Sequence, residues 1–74
     1  MVSFGVIGCG HWGKNYVRVL QEIKGASVAG CADAIEENLR MIRDRHPLVA
    51  TMKDAGDLIR RNDIDAIVVA TPAG

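Results

Sequence analysis

The sequence predicts an α/β fold, a parallel sheet with helices on both faces, and three observations carry that expectation. Short apolar runs bounded by glycine, aspartate or proline recur at residues 2–7, 27–32 and 66–70. Segments with apolar residues at helical spacing lie between them. Each such segment separates two strand-like runs, an alternation that requires crossover connections and therefore parallel pairing.

The first run ends in Gly8-Cys9-Gly10-His11-Trp12-Gly13 and reads as a buried strand. A helix follows, with Trp12, Tyr16, Val19, Leu20 and Ile23 as its expected apolar stripe, Lys14, Arg18, Gln21 and Glu22 opposite, and Gly25 as its stop. Residues 27–32 are small, uncharged and suited to a strand covered on both faces. A second helix is expected near residues 35–45. Ile35, Leu39 and Ile42 form its stripe, Glu36 and Glu37 lie at its start, and Arg43 and Arg45 at its end, the arrangement its dipole favours. His46-Pro47 closes it. Residues 48–51 predict a weak third strand. Asp54 is placed as the cap of a third helix whose buried face is Leu58 and Ile59. The β-branched run 66–70, between Asp65 and Pro72, is the most strand-like of all. With right-handed crossovers the expected strand order is 3-2-1-4.

Composition narrows the function. The chain has 74 residues, about half of an ordinary domain of roughly 100–150. Hydrophobic residues at 49% and charged residues at 24% describe a globular chain rather than a disordered tail. Nine basic side chains balance nine acidic ones, which argues against nucleic acid or an anionic membrane as partner. There is no run of apolar residues long enough to span a bilayer and no basic, signal-like start, so the cytoplasm is the expected compartment. Cys9 and Cys31 form neither a Cys-x-x-Cys pair nor a disulfide framework, and no group of residues has metal-ligand spacing.

Gly8-x-Gly10-x-x-Gly13 is a weak signal alone, but here it follows a strand, opens a helix, and precedes an acid, Asp33, by 20 positions at the tip of the second strand. That combination is a Rossmann-type dinucleotide fingerprint. Gly8 permits the tight turn, Gly10 lets the backbone approach a pyrophosphate, and Gly13 lets helix and strand pack closely. Backbone N–H groups at the helix start hold phosphate, and Asp33 accepts from the ribose hydroxyls of an adenosine. Plain alternatives stand beside these roles. The glycines can be a simple turn. Asp33-Ala34-Ile35-Glu36 has capping-box spacing, so Asp33 can cap the second helix. Trp12 can stack on the cofactor or anchor the first helix. The backbone of His11 would face the pyrophosphate while its side chain is solvated. Lys14 lies near enough to aid a phosphate. A carboxylate at position 33 followed by Ala34 rather than arginine favours NAD over NADP.

Three segments taken in order resemble a known family. Val6-Ile7-Gly8-Cys9-Gly10-His11-Trp12-Gly13-Lys14-Asn15, Val28-Ala29-Gly30-Cys31-Ala32-Asp33 and Asp63-Ile64-Asp65-Ala66-Ile67-Val68-Val69-Ala70-Thr71-Pro72 are similar to the opening of the glucose–fructose oxidoreductase / inositol dehydrogenase (Gfo/Idh/MocA) family. Trp12 to Asn15 most resembles its sugar-nucleotide branch, which includes dehydrogenases acting on UDP-N-acetylhexosamines. The resemblance implies an N-terminal domain that binds NAD or NADP, with Gly8, Gly10, His11, Trp12 and Gly13 in the phosphate loop and Asp33 as the ribose acid. Thr71 and Pro72 match the loop beside the nicotinamide. It implies hydride transfer at a hydroxyl-bearing carbon of a sugar or cyclitol. The family's catalytic lysine sits in a Glu-Lys-Pro motif that this sequence does not contain, and its substrate-binding domain, which also forms the oligomer interface, has no counterpart here. The expectation is therefore that residues 1–74 are the N-terminal part of a dinucleotide-binding domain from an oligomeric parent, contain no catalytic residue, and are inactive alone. The rival expectations are a non-catalytic dinucleotide-sensing module acting through a partner, and a remnant that folds without a ligand.

Overall fold

The computed structural model describes residues 1–70, with residues 11 and 12 as backbone. Its elements run β1 (Val2–Ile7), α1 (His11–Glu22), β2 (Ala26–Ala32), α2 (Glu36–Arg45), β3 (Ala50–Met52), α3 (Ala55–Ile59) and β4 (Ala66–Val69). The four strands form one parallel sheet in the order β3-β2-β1-β4, as expected. The chain moves outward through β1, β2 and β3, then returns to place β4 on the other side of β1. That reversal opens a crevice at the carboxyl ends of β1 and β4, the position where open α/β sheets take ligands.

β1 and β2 carry one irregularity that shapes the core. Phe4 pairs with Val28 but Gly5 pairs with Gly30, so Ala29 is an extra residue in β2. The bulge re-phases the strand, and Val28 and Cys31 both reach the cluster that holds Val6, Val17, Leu39, Ile42 and Val49. The opposite face is built differently. A Cβ at Gly5 or Gly30 would stand 3.2 or 3.0 Å from a methyl of Leu58. Two neighbouring glycines thus form the notch that receives Leu58, the buried residue of the five-residue α3. Asp54 caps that helix as expected, its Oδ1 accepting the Gly56 N–H at 2.7 Å. Asp65 fixes the entry to β4: its carboxylate accepts the Ser3 N–H at 2.9 Å and its own N–H donates to the Ser3 carbonyl at 2.7 Å.

Several sequence expectations are corrected in detail. The inward line of α1 is Gly13, Val17 and Leu20, not the Tyr16, Val19 and Ile23 line beside it, whose members are exposed. The lines differ by one residue, about 100° of helix rotation, and the one containing glycine lies against the strand because it permits the closer approach. Ile35 does not join the α2 stripe. It is the N-cap residue and is exposed, whereas Leu39 and Ile42 are fully buried. β3 begins two residues later than expected, leaving Leu48 in solvent, and Ile59 lies outside the core beside the buried Leu58. Among the described residues no helix is long and apolar enough to cross a membrane.

These assignments make Leu58→Ala and Ile59→Ala a sharp pair. Emptying the glycine notch should cost about 2–4 kcal/mol, a large share of the stability of a small core. Trimming Ile59, 60% exposed, should cost less than about 1 kcal/mol. Urea denaturation of both variants is the check, and equal losses would contradict the notch.

Candidate functional site

The site grows from the exit of β1. Gly8 has φ 92°, a left-handed conformation that side chains with a Cβ rarely adopt, and its N–H donates to the Ala32 carbonyl at 2.7 Å. The chain therefore turns sharply while still attached to β2. α1 starts at once, and at Gly13 it presses on the turn: a Cβ there would lie 1.6 Å from the Gly8 carbonyl oxygen. Gly10 differs from both. Its φ is −74°, outside the left-handed region, and among the described residues a Cβ there would meet the Asn38 Nδ2 alone, at 3.8 Å. No close packing contact among the described residues demands glycine at position 10.

The three helices start in different ways. α2 has Glu36 and Glu37 in its first turn, and α3 has the Asp54 cap and Asp57. α1 has no side-chain cap and no acid in its first turn. The first turn of α1 therefore carries no acid of its own, which suits phosphate.

Asp33 closes the site. Its Oδ2 accepts the Cys9 N–H at 2.8 Å and the Asn38 Nδ2 at 3.0 Å, and its Oδ1 accepts the Ile35 N–H at 2.8 Å. Its own N–H donates to the Met52 carbonyl at 3.0 Å, which ties the tip of β2 to β3. The capping box that the spacing allowed does not form. Ile35 occupies the N-cap with no side-chain cap bond, and the Asp33 side chain turns the chain two residues ahead of α2. Glu36 instead pairs with Arg43 and lies 3.9 Å from Lys53. The hydrogen bond from Arg43 holds its carboxyl below the usual carboxylate range.

Gly8, Gly10, Gly13 and Asp33 thus come together at one crevice. His11 and Trp12 open α1 within the same loop. Thr71 and Pro72 lie outside the described residues, and β4, which precedes them, ends beside β1 through the Ala70 N–H bond to the Ile7 carbonyl at 2.8 Å. Lys14 helps line a shallow groove between α1 and α2 with Arg18, Arg45 and His46. Cys9 and Cys31 are buried free thiols. The hydrogen bond with Cys31, burial, and the Asp33 carboxylate all push the Cys9 thiol far above its ordinary range, so it stays protonated and is no nucleophile. Two features escape a reading of the sequence: the bond from the Cys9 backbone to Asp33, across 24 positions, and Asn38. The signal for Asn38 was its place in the first turn of the helix that begins just after the acid.

Comparison with known proteins agrees with this geometry. Residues 2–74 match the family model GFO_IDH_MocA, described as an oxidoreductase family with an NAD-binding Rossmann fold. Inositol 2-dehydrogenase of Mycolicibacterium gilvum is 36% identical over 74 residues, 99% of this chain and 21% of that protein. Its namesake in Rhodococcus jostii is 38% identical over 72 residues, 96% of this chain and 20% of that one. Among solved structures, Lactobacillus casei myo-inositol dehydrogenase in complex with NAD(H) and myo-inositol superposes with TM-score 0.87 at 32% identity, over 96% of this chain and 22% of that one. The chain spans about a fifth of the length of these relatives.

The 1.6 Å clash makes Gly13→Ala a severe substitution. It should push α1 off the turn, lower the melting temperature by several degrees, and weaken NAD binding by at least about tenfold. Thermal melts and a nucleotide titration test both, and an unchanged melt would refute the close contact.

Proposed function

The chain belongs to the Gfo/Idh/MocA oxidoreductase family, and from that premise we propose that it is the cofactor-binding opening of a dehydrogenase acting on a cyclitol or sugar hydroxyl. NAD is the cofactor of this fold. The observation that carries the site assignment is Gly10, a glycine that no close packing contact among the described residues requires, beside a helix whose first turn holds no acid. In this reading Gly8, Gly10 and Gly13 shape the loop that passes the pyrophosphate, with His11 and Trp12 as its backbone. Asp33 accepts from the adenosine ribose, and Thr71-Pro72 run beside the nicotinamide. The substrate class follows from relatives named for inositol. The sugar-nucleotide branch suggested by Trp12 to Asn15 finds no support among them.

When bound, the nicotinamide takes hydride from a hydroxyl-bearing carbon. The residues of this chain hold and orient it. Hydride transfer also needs a base for the hydroxyl proton, and among the described residues we assign no side chain to that role. We therefore assign the 74 residues to the N-terminal part of a dinucleotide-binding domain. Base and substrate contacts would come from further sequence of the kind that makes up the rest of these relatives, in an oligomeric cytoplasmic enzyme.

The Asp33 carboxylate repels a 2′-phosphate and no arginine follows it, so NAD should bind more tightly than NADP. Gly10→Val should weaken NAD by about tenfold or more, because its branched side chain would stand where the pyrophosphate passes. Asp33→Ala should weaken NAD more than NADP. Isothermal titration with both nucleotides decides. Full NAD affinity in Gly10→Val would overturn the phosphate-loop assignment, and equal losses in Asp33→Ala would overturn the ribose role.

A further inference from the structure

The Asp33 carboxylate is more occupied than a ribose acid can afford to be alone. A carboxylate offers about four acceptor positions. The Cys9 N–H and Asn38 Nδ2 fill both on Oδ2, and the Ile35 N–H fills one on Oδ1. One position remains for a diol that presents two hydroxyl donors. The Asn38 amide stands beside it. Oδ2 of Asp33 can only accept, so the NH2 of Asn38 must face it, which turns the amide carbonyl the other way. Among the described residues nothing donates to that carbonyl, and no buried side-chain polar atom is left without a partner. The Asn38 Oδ1 is therefore without a donor among the described residues and is not sealed from solvent. The same amide lies 3.8 Å from where a Cβ of Gly10 would stand, between the phosphate loop and the ribose acid.

We propose that Asn38 is a second ribose-binding residue: its Nδ2 holds Asp33 in place while its Oδ1 accepts from one hydroxyl of the adenosine ribose and Asp33 Oδ1 accepts from the other. This rests on the dinucleotide-site reading above. It also extends the preference for NAD. A 2′-phosphate would meet two acceptors, the Asp33 carboxylate and the Asn38 carbonyl, with the Asn38 NH2 already committed to Asp33.

The test uses the intact protein with NAD and its analogues lacking the 2′- or the 3′-hydroxyl of the adenosine ribose, titrated against wild type, Asn38→Ala and Asp33→Ala. On the wild type each missing hydroxyl should weaken binding about three- to tenfold. In Asn38→Ala the NAD affinity should fall by a similar factor, one of the two deoxy penalties should vanish, and the other should persist. If both penalties persist in Asn38→Ala, Asn38 does not touch the ribose. If both vanish, it acts only by positioning Asp33, and the shared clamp is wrong. Asp33→Ala separates the two levels: unchanged NAD affinity there defeats the site itself, whereas a loss there with both penalties intact in Asn38→Ala defeats the Asn38 role alone. Should Asn38→Ala melt below the assay temperature, the near-isosteric Asn38→Leu takes its place with the same expected pattern.

Discussion

The contact on which this structure depends is that between α1 and the turn it springs from. At Gly13 there is no room for even a methyl group, because the carbonyl oxygen of Gly8 occupies the space. That approach decides where α1 can lie. It brings Val17 into one cluster with Val6 and Cys31, in which the described buried side chains are aliphatic groups and thiols. It also places the N-terminal end of the helix directly at the crevice where β1 and β4 part. Core geometry and ligand geometry are thus one constraint, and a residue that thickened the helix at position 13 would disturb both.

The second link runs through Asp33. A carboxylate at a strand tip is ordinarily hydrated and mobile. Here the backbone of Cys9, the backbone of Ile35 and the amide of Asn38 hold it. The glycine loop and the acid therefore form one hydrogen-bonded unit within the protein itself. Such ordering lowers the entropy cost of binding. Its consequence is that fewer lone pairs are left for the ligand, so recognition must draw on neighbours. The charge-assisted bonds also explain why Cys9 serves as a packed thiol: the Asp33 carboxylate and burial both oppose a thiolate at that position.

The order of elements, the 3-2-1-4 sheet and the meeting of Gly8, Gly10, Gly13 and Asp33 were legible in the sequence, because each rests on periodicity or on glycine and acid spacing. The α1 error has an identifiable cause. Helical periodicity finds an apolar face but not its centre, and the expected stripe of Trp12, Tyr16, Val19, Leu20 and Ile23 shares only Leu20 with the inward line of Gly13, Val17 and Leu20. Hydrophobicity favoured the larger side chains, whereas close packing favoured the line with glycine. Ile35 failed because it is the extended N-cap rather than part of α2. Ile59 failed because it follows the buried Leu58 by one residue, about 100° around the helix, and so faces outward. Nothing in residue spacing announces a backbone bond from position 9 to position 33. It exists only once β1 and β2 are paired and their carboxyl ends lie side by side.

A chain with no net charge can still prefer a ligand with two pyrophosphate charges, because the field at the crevice is local. Both other helices spend their positive ends on their own acids, Glu36 and Glu37 in one case and Asp54 and Asp57 in the other. α1 has no acid in its own first turn, and that turn is reached over a glycine that presents backbone rather than side chain. The acceptors adjoin that loop: the Asp33 carboxylate accepts the Cys9 N–H at 2.8 Å. The fold fixes both sets of groups before any catalytic group is involved, the donors through the turn at Gly8 and the start of α1, the carboxylate through its bonds from Cys9, Ile35 and Asn38.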